Sequence, residues 1–232
     1  MADQDIALGL MWFVAFLFST TVHEAMHAWV AFRGGDPTAY HGGQVTLSPL
    51  PHIRREPIGM LVVPLLTAMT MGWAMGWASA PYDPYWAARH PRRAAVMAAA
   101  GPAGNFAIAL VAFVVLKVGL GAGWFMAPER ANFTTLVETG AGPDGVTTML
   151  SIFVMLNVLL GVFNLIPLPP LDGASVVSIF LPSGWRDKLR ELTANGAMSM
   201  VGLLVAWQVF PGLVGPLFSA VLKLLHPDLS YG

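Results

Sequence analysis

Three ionisable side chains stand together inside an otherwise apolar stretch: His23, Glu24 and His27, in Thr21-Val22-His23-Glu24-Ala25-Met26-His27. Residues four apart share one face of a helix, so both imidazoles can reach a single metal ion. Glu24 is rotated off that line and is placed to act as general base toward water at the metal. Ionisable groups inside a membrane helix are costly and need partners, so three together mark a functional site by default. The plainer reading is two interfacial histidines and a carboxylate that pair with one another.

A catalytic zinc needs a third protein ligand and an open position. The chain has no cysteine, which excludes disulfides and thiolate sites and leaves His, Asp, Glu or backbone oxygen as ligands. A second apolar stretch ends in Asn164-Leu165-Ile166-Pro167-Leu168-Pro169-Pro170-Leu171-Asp172-Gly173. Three prolines in four positions cannot continue a helix, so the chain is expected to be extended here. Asp172 is the only acid between Asp144 and Asp187 and is the natural third ligand. On its own, Asp-Gly is a common turn; a matching depth beside the two histidines gives it a second meaning.

These residues must be held by membrane elements. Of 232 residues, 56% are hydrophobic and 11% charged, where soluble domains carry about 25% charge. A soluble fold this apolar could not cover its surface, and the net charge of −1 argues against a nucleic-acid partner. The start, Met1-Ala2-Asp3-Gln4-Asp5, is acidic where a cleavable signal is basic, so the first apolar stretch is expected to stay in the mature protein. Five apolar segments near the length of a bilayer crossing follow, at about 6–32, 57–80, 94–118, 148–167 and 196–225.

Basic residues cluster at Arg33, Arg54 and Arg55, at Arg89, Arg92 and Arg93, and at Arg186, Lys188 and Arg190. The positive-inside rule puts all three clusters in the cytoplasm. Segments one, three, four and five obey it as full spans. Segment two does not, since it has basic clusters on both sides. It either enters and leaves by the cytoplasmic face, with Pro64 breaking its helix, or crosses against the charge rule. Gly42 to Pro49 alternates in the manner of a short strand. The expected fold class is thus an all-α polytopic membrane protein: about four transmembrane helices, a re-entrant element and a short cytoplasmic β-strand or hairpin.

His23 to His27 together with Asn164 to Gly173 resembles the site-2 protease family of intramembrane metalloproteases, which pairs an HExxH helix with an N-x-x-P-x-x-P-L-D-G segment. Gly101-Pro102-Ala103-Gly104-Asn105 resembles the family's G-P-x-x-N, and Gly43 to His52 its G-R-x-T-L-N-P-L-x-H stretch. The likeness runs in order from about residue 19 to 176. It implies a single intramembrane metalloprotease domain over 1–232, in the compact form, because the loop of about thirty residues between segments three and four is too short for a PDZ domain. It implies one catalytic Zn2+ on His23, His27 and Asp172, with Glu24 as base and Asn164 holding the substrate or its oxyanion. The implied partners are a transmembrane protein substrate and the lipid bilayer of a bacterial or archaeal cell, with the site near the cytoplasm. The family's edge strand is thought to pair with unwound substrate. Arg54 stands where the family carries an acid.

A membrane zinc-binding or transport protein is the alternative; it would spread polar sites along a path across the membrane. Asn105 is open to two roles, assisting the site or bridging helices. His41 and His52 read as surface-loop residues, and His90 and His226 as wetted histidines at membrane boundaries. The tryptophans Trp12, Trp73, Trp77, Trp86, Trp185 and Trp207 read as interfacial or packing aromatics.

Overall fold

The computed structural model describes residues 3–228; the expectation for the N-terminus falls partly outside them, at Met1 and Ala2. The framework is three long apolar helices: α1 (Asp3–Arg33), α6 (Pro91–Gly121) and α7 (Gly145–Asn164). Each is long and apolar enough to cross a membrane. Helix α6 lies centrally and packs against both α1 and α7. Its glycines and alanines allow close approach: a Cβ on Gly104 would sit 3.0 Å from Met26 of α1, and Gly161 of α7 receives the Phe106 ring. The outer faces carry exposed Leu10, Val14, Phe18, Leu110, Val111 and Val114, a surface suited to lipid rather than water.

Two inner clusters hold the bundle. Trp12, Ala15 and Phe16 of α1 pack with Ala68, Ala74, Ile152 and Leu156. At the far end, Leu116 of α6, Val154 and Met155 of α7, and Leu136 and Val137 of the connecting loop close around Val221, Leu222 and Leu225 of α11 (Pro211–Leu225). Helix α7 starts at a capping box: the Asp144 carboxylate accepts from the Val146 and Thr147 amides, and the Thr147 hydroxyl accepts from the Asp144 amide. These donors hold the exposed Asp144 carboxyl below its usual range.

Segment two runs out and back. After α2 (Thr38–His41) and α3 (Pro49–Arg55), a π-helical turn over Ile58–Val62 leads into α4 (Val63–Met71). Gly72 ends it in the left-handed region at φ 77°. The chain then returns without regular structure to α5 (Pro84–Arg89). The return leg is pinned by Trp77 N–H to Gly59 O at 3.1 Å and Met75 N–H to Thr67 Oγ1 at 2.9 Å. Ser79 ends beside Glu56, donating to its carboxylate at 2.6 Å. The approach requires glycine: a Cβ on Gly76 would collide with the Gly59 carbonyl, and one on Gly59 with the Trp77 carbonyl.

Two expectations are corrected. No sheet is formed among the described residues, which show only isolated bridges, and 42–48 is a turn with bends, leading into α3 at Pro49, rather than a strand. Its polar groups are used locally: Gln44 N–H bonds back to Ala39 O, and Thr46 Oγ1 accepts from Ser48 N–H. Such bonds compete with a ladder. The fifth segment is not one continuous helix. It divides into α10 (Gly196–Val209) and α11 at Phe210–Pro211, where proline supplies no amide to continue the helix. Helix α9 (Ser183–Ala194) precedes α10 at a bend of 94°, and that pair could make a fourth span by length and composition.

The hairpin geometry is testable. Gly76→Ala should cost about 1–3 kcal/mol through overpacking, lowering the thermal midpoint in detergent by several degrees. Gly121→Ala, where a Cβ meets nothing, serves as the control. Equal midpoints for the two variants would contradict the close return of residues 72–80.

Candidate metal centre

His23 and His27 project from one face of α1 as their spacing requires. The rings meet edge to face, 4.6 Å between centroids, with the two Nε2 atoms 2.9 Å apart. Asp172 is the first residue of α8 (Asp172–Ser178) and brings Oδ2 to 3.2 Å from His23 Nε2 and 3.3 Å from His27 Nε2. The proline-rich segment swings it there. Gly173 allows the segment to fold back on the end of α7, because a Cβ at that position would collide with the Leu165 and Ile166 carbonyls.

The outer nitrogens determine what the inner ones can do. His27 Nδ1 lies 2.8 Å from the Met97 carbonyl, which can only accept, so Nδ1 carries a hydrogen. His23 Nδ1 lies 2.6 Å from Asn105 Oδ1, and Asn105 Nδ2 donates to Asn157 Oδ1 at 2.8 Å. Asn157 Nδ2 donates in turn to Ser19 Oγ at 2.9 Å and to the Phe153 carbonyl. This chain of amides orients His23 with its Nδ1 as donor. In the neutral rings both Nε2 atoms therefore present lone pairs, and they face a carboxylate that also only accepts. With both rings neutral, three acceptor atoms converge within 4.8 Å of one another, an arrangement suited to a cation between them.

The donor set fits zinc. Ligand atoms about 2.0–2.1 Å from a tetrahedral ion lie roughly 3.3 Å from one another, close to the separations found. Gly101 of α6 leaves the approach open, since a Cβ there would strike both Nε2 atoms. Glu24 is 5% exposed, and its Oε2 has no hydrogen-bond partner among the described residues. A buried carboxylate oxygen left without a donor has a reason to be kept so.

Other expected residues fall elsewhere. Asn164 is the last residue of α7, and its amide donates to the Leu160 carbonyl of its own helix rather than into the triad. Asn105 both bridges helices and touches the site. His52 is not a surface residue: it is 1% exposed, with Nε2 3.1 Å from Thr46 O, and lies outside the ligand group. His226 is likewise buried, 2.8 Å from the Leu136 carbonyl. His41 is exposed, at the end of α2 rather than in a loop. Trp12 and Trp86 are buried packing residues. Ser19, Met97, Gly101 and Asn157 were not anticipated; a lone asparagine within the apolar run 148–163 was the available signal for Asn157.

Comparison with known proteins agrees with this geometry. The pattern of Peptidase family M50 matches residues 11–209. YwhC of Bacillus subtilis, a zinc metalloprotease by inference in its own name, is 33% identical over 193 residues, 83% of this chain and 78% of that protein. Rip2 of Mycolicibacterium smegmatis, similarly named, is 26% identical over 200 residues, covering 86% and 68%. A Streptococcus pneumoniae relative of the same description aligns over 74 residues at 34% identity, 30% of this chain and 18% of its own. No solved structure matches the chain. Two histidines and an aspartate poised for a metal among membrane-length helices, matched by this family over most of its length, mean that the chain belongs to peptidase family M50, the site-2 proteases, and is a zinc-dependent intramembrane protease.

Proposed function

We propose that His23, His27 and Asp172 hold the zinc ion, that Glu24 is the general base, and that the substrate is a transmembrane segment of another membrane protein. One observation carries this reading: a ligand atom from each of His23 and His27 on α1 and Asp172 on α8 converge within 4.8 Å of one another, beside a buried carboxylate whose Oε2 has no hydrogen-bond partner among the described residues. Zinc, when bound, supplies a Lewis acid that polarises the scissile carbonyl and acidifies water. Glu24 takes the proton from the attacking water and passes it to the leaving amine nitrogen. Asn105 and the Met97 carbonyl keep the two imidazoles in the tautomer that leaves Nε2 free, the role second-sphere partners have at histidine metal sites. Asn164 turns from the Leu160 carbonyl toward the substrate and donates to its carbonyl oxygen as charge develops there.

The site faces the cytoplasm of a bacterial or archaeal cell. Arg33, Arg89, Arg92, Arg93 and Arg186 come together at one end of the bundle, which supports a common cytoplasmic side for their clusters. Segment two re-enters: Ser79 returns beside Arg55 and Glu56, which supports entry and exit at the same face. The whole of 1–232 acts as one protease domain.

Two measurements test this reading. Glu24→Gln should keep one zinc per chain and lose about 10²–10⁴ of the cleavage rate on a single-span substrate; turnover near wild type would refute the base. Asn105→Ala should weaken zinc binding about 10–100-fold in a chelator competition. Unchanged affinity would mean that the amide chain does not orient His23.

A further inference from the structure

We infer that the two adjoining arginine-lined hollows at the start of α6, one bordered by Arg186 of α9 and the other by the end of α1, are a binding site for the phosphate headgroup of an anionic phospholipid. The inference does not rest on the protease reading. A cavity of about 360 Å³ is lined by Arg89, His90, Arg92, Arg93, Arg186 and Ile179, and contains no acid among its lining residues. A second of about 480 Å³ shares Arg92 and Arg93 with it and adds Arg33. Five arginines thus face two adjoining hollows.

Among the described residues, few acids neutralise them. Arg89 has a long contact of 3.9 Å with Asp83. Asp36 is nearby in the fold but already committed: it accepts from the Thr38 hydroxyl and amide and from the Asp83 amide. Burial alone would raise its carboxyl, and these donors hold it below the usual range instead. Asp187 is taken by Arg190 at 2.6 Å. The Arg186 Nε is buried and has no hydrogen-bond partner among the described residues. Arg93 donates to the Gly34 carbonyl through one nitrogen only. The 31-residue helix α6 also begins here, with no side-chain cap on its first turn, which adds positive potential and free amides to the arginines.

The depth of the site selects a lipid over a soluble anion. Helix α9 has no buried residue; Trp185, Leu189 and Leu192 alternate with Arg186, Lys188 and Arg190. An amphipathic helix of this kind suits the membrane interface, and α10 turns away from it by 94°. Beside the hollows, Val96, Phe180 (77% exposed) and Trp185 present apolar surface to acyl chains. Basic pockets between membrane helices at this level hold acidic headgroups, and arginine matches phosphate in bidentate geometry. The headgroup would tie together the end of α1, which carries both histidines, the start of α6, which carries Met97, Gly101 and Asn105, and α9, which follows the helix of Asp172.

The test is native mass spectrometry of the zinc-loaded chain released from detergent with phosphatidylglycerol, phosphatidylcholine or inorganic phosphate. Wild type should retain phosphatidylglycerol at least tenfold better than phosphatidylcholine. The double variant Arg92→Gln/Arg186→Gln should lose that preference, Arg92→Lys/Arg186→Lys should keep part of it, and Arg190→Gln should match wild type. Should the double glutamine variant not fold, Arg92→Gln alone must show a several-fold loss. Equal retention of the two lipids by wild type, undiminished preference in the glutamine variants, or displacement of phosphatidylglycerol by millimolar inorganic phosphate would overturn the assignment.

Discussion

A buried polar atom in a lipid-embedded bundle has no water to fall back on, and this constraint organises the protein. Ser19, His23 and His27 on α1 would each be a liability alone. They are tolerated because α6 and α7 offer complementary groups at the same level: the Met97 carbonyl, Asn105 and Asn157. At the centre of this network His23, His27 and Asp172 form a group that could hold a metal ion.

Close packing follows from the same demand. Hydrogen bonds of 2.6–2.9 Å across three helices require backbones that nearly touch. Gly101, Gly104 and the alanines of α6 provide that approach, and Gly161 admits Phe106 on the opposite side. The central helix is therefore both a spacer and a source of ligand-orienting groups. The hairpin of residues 58–77 repeats the device with Gly59 and Gly76, allowing irregular backbone to lie against protein rather than lipid.

The parts of this arrangement that were legible in the sequence share a local cause. His23 and His27 sit four apart, so a helix brings them together without knowledge of the rest. Pro167, Pro169 and Pro170 together cannot continue a helix, which set Asp172 apart as a candidate ligand. The long spans followed from composition. What was illegible depended on partners far along the chain. Residues 42–49 alternate like a strand but find nothing to pair with. Asn157 gains meaning only once Asn105 is opposite it. His226 and His52 looked wet because their carbonyl partners, Leu136 and Thr46, belong to loops whose path no local pattern specifies. The fifth segment carried its own warning in Pro211, which apolar length concealed.

The amide chain behind His23 also has a history in time. At roughly 5–20 residues per second of synthesis, Asn105 is made several seconds after His23, and Asp172 later still. Helix α1 is thus made before the groups of α6 and α7 that match its polar face. The polar face of α1 is therefore completed only by helices that follow it in the chain.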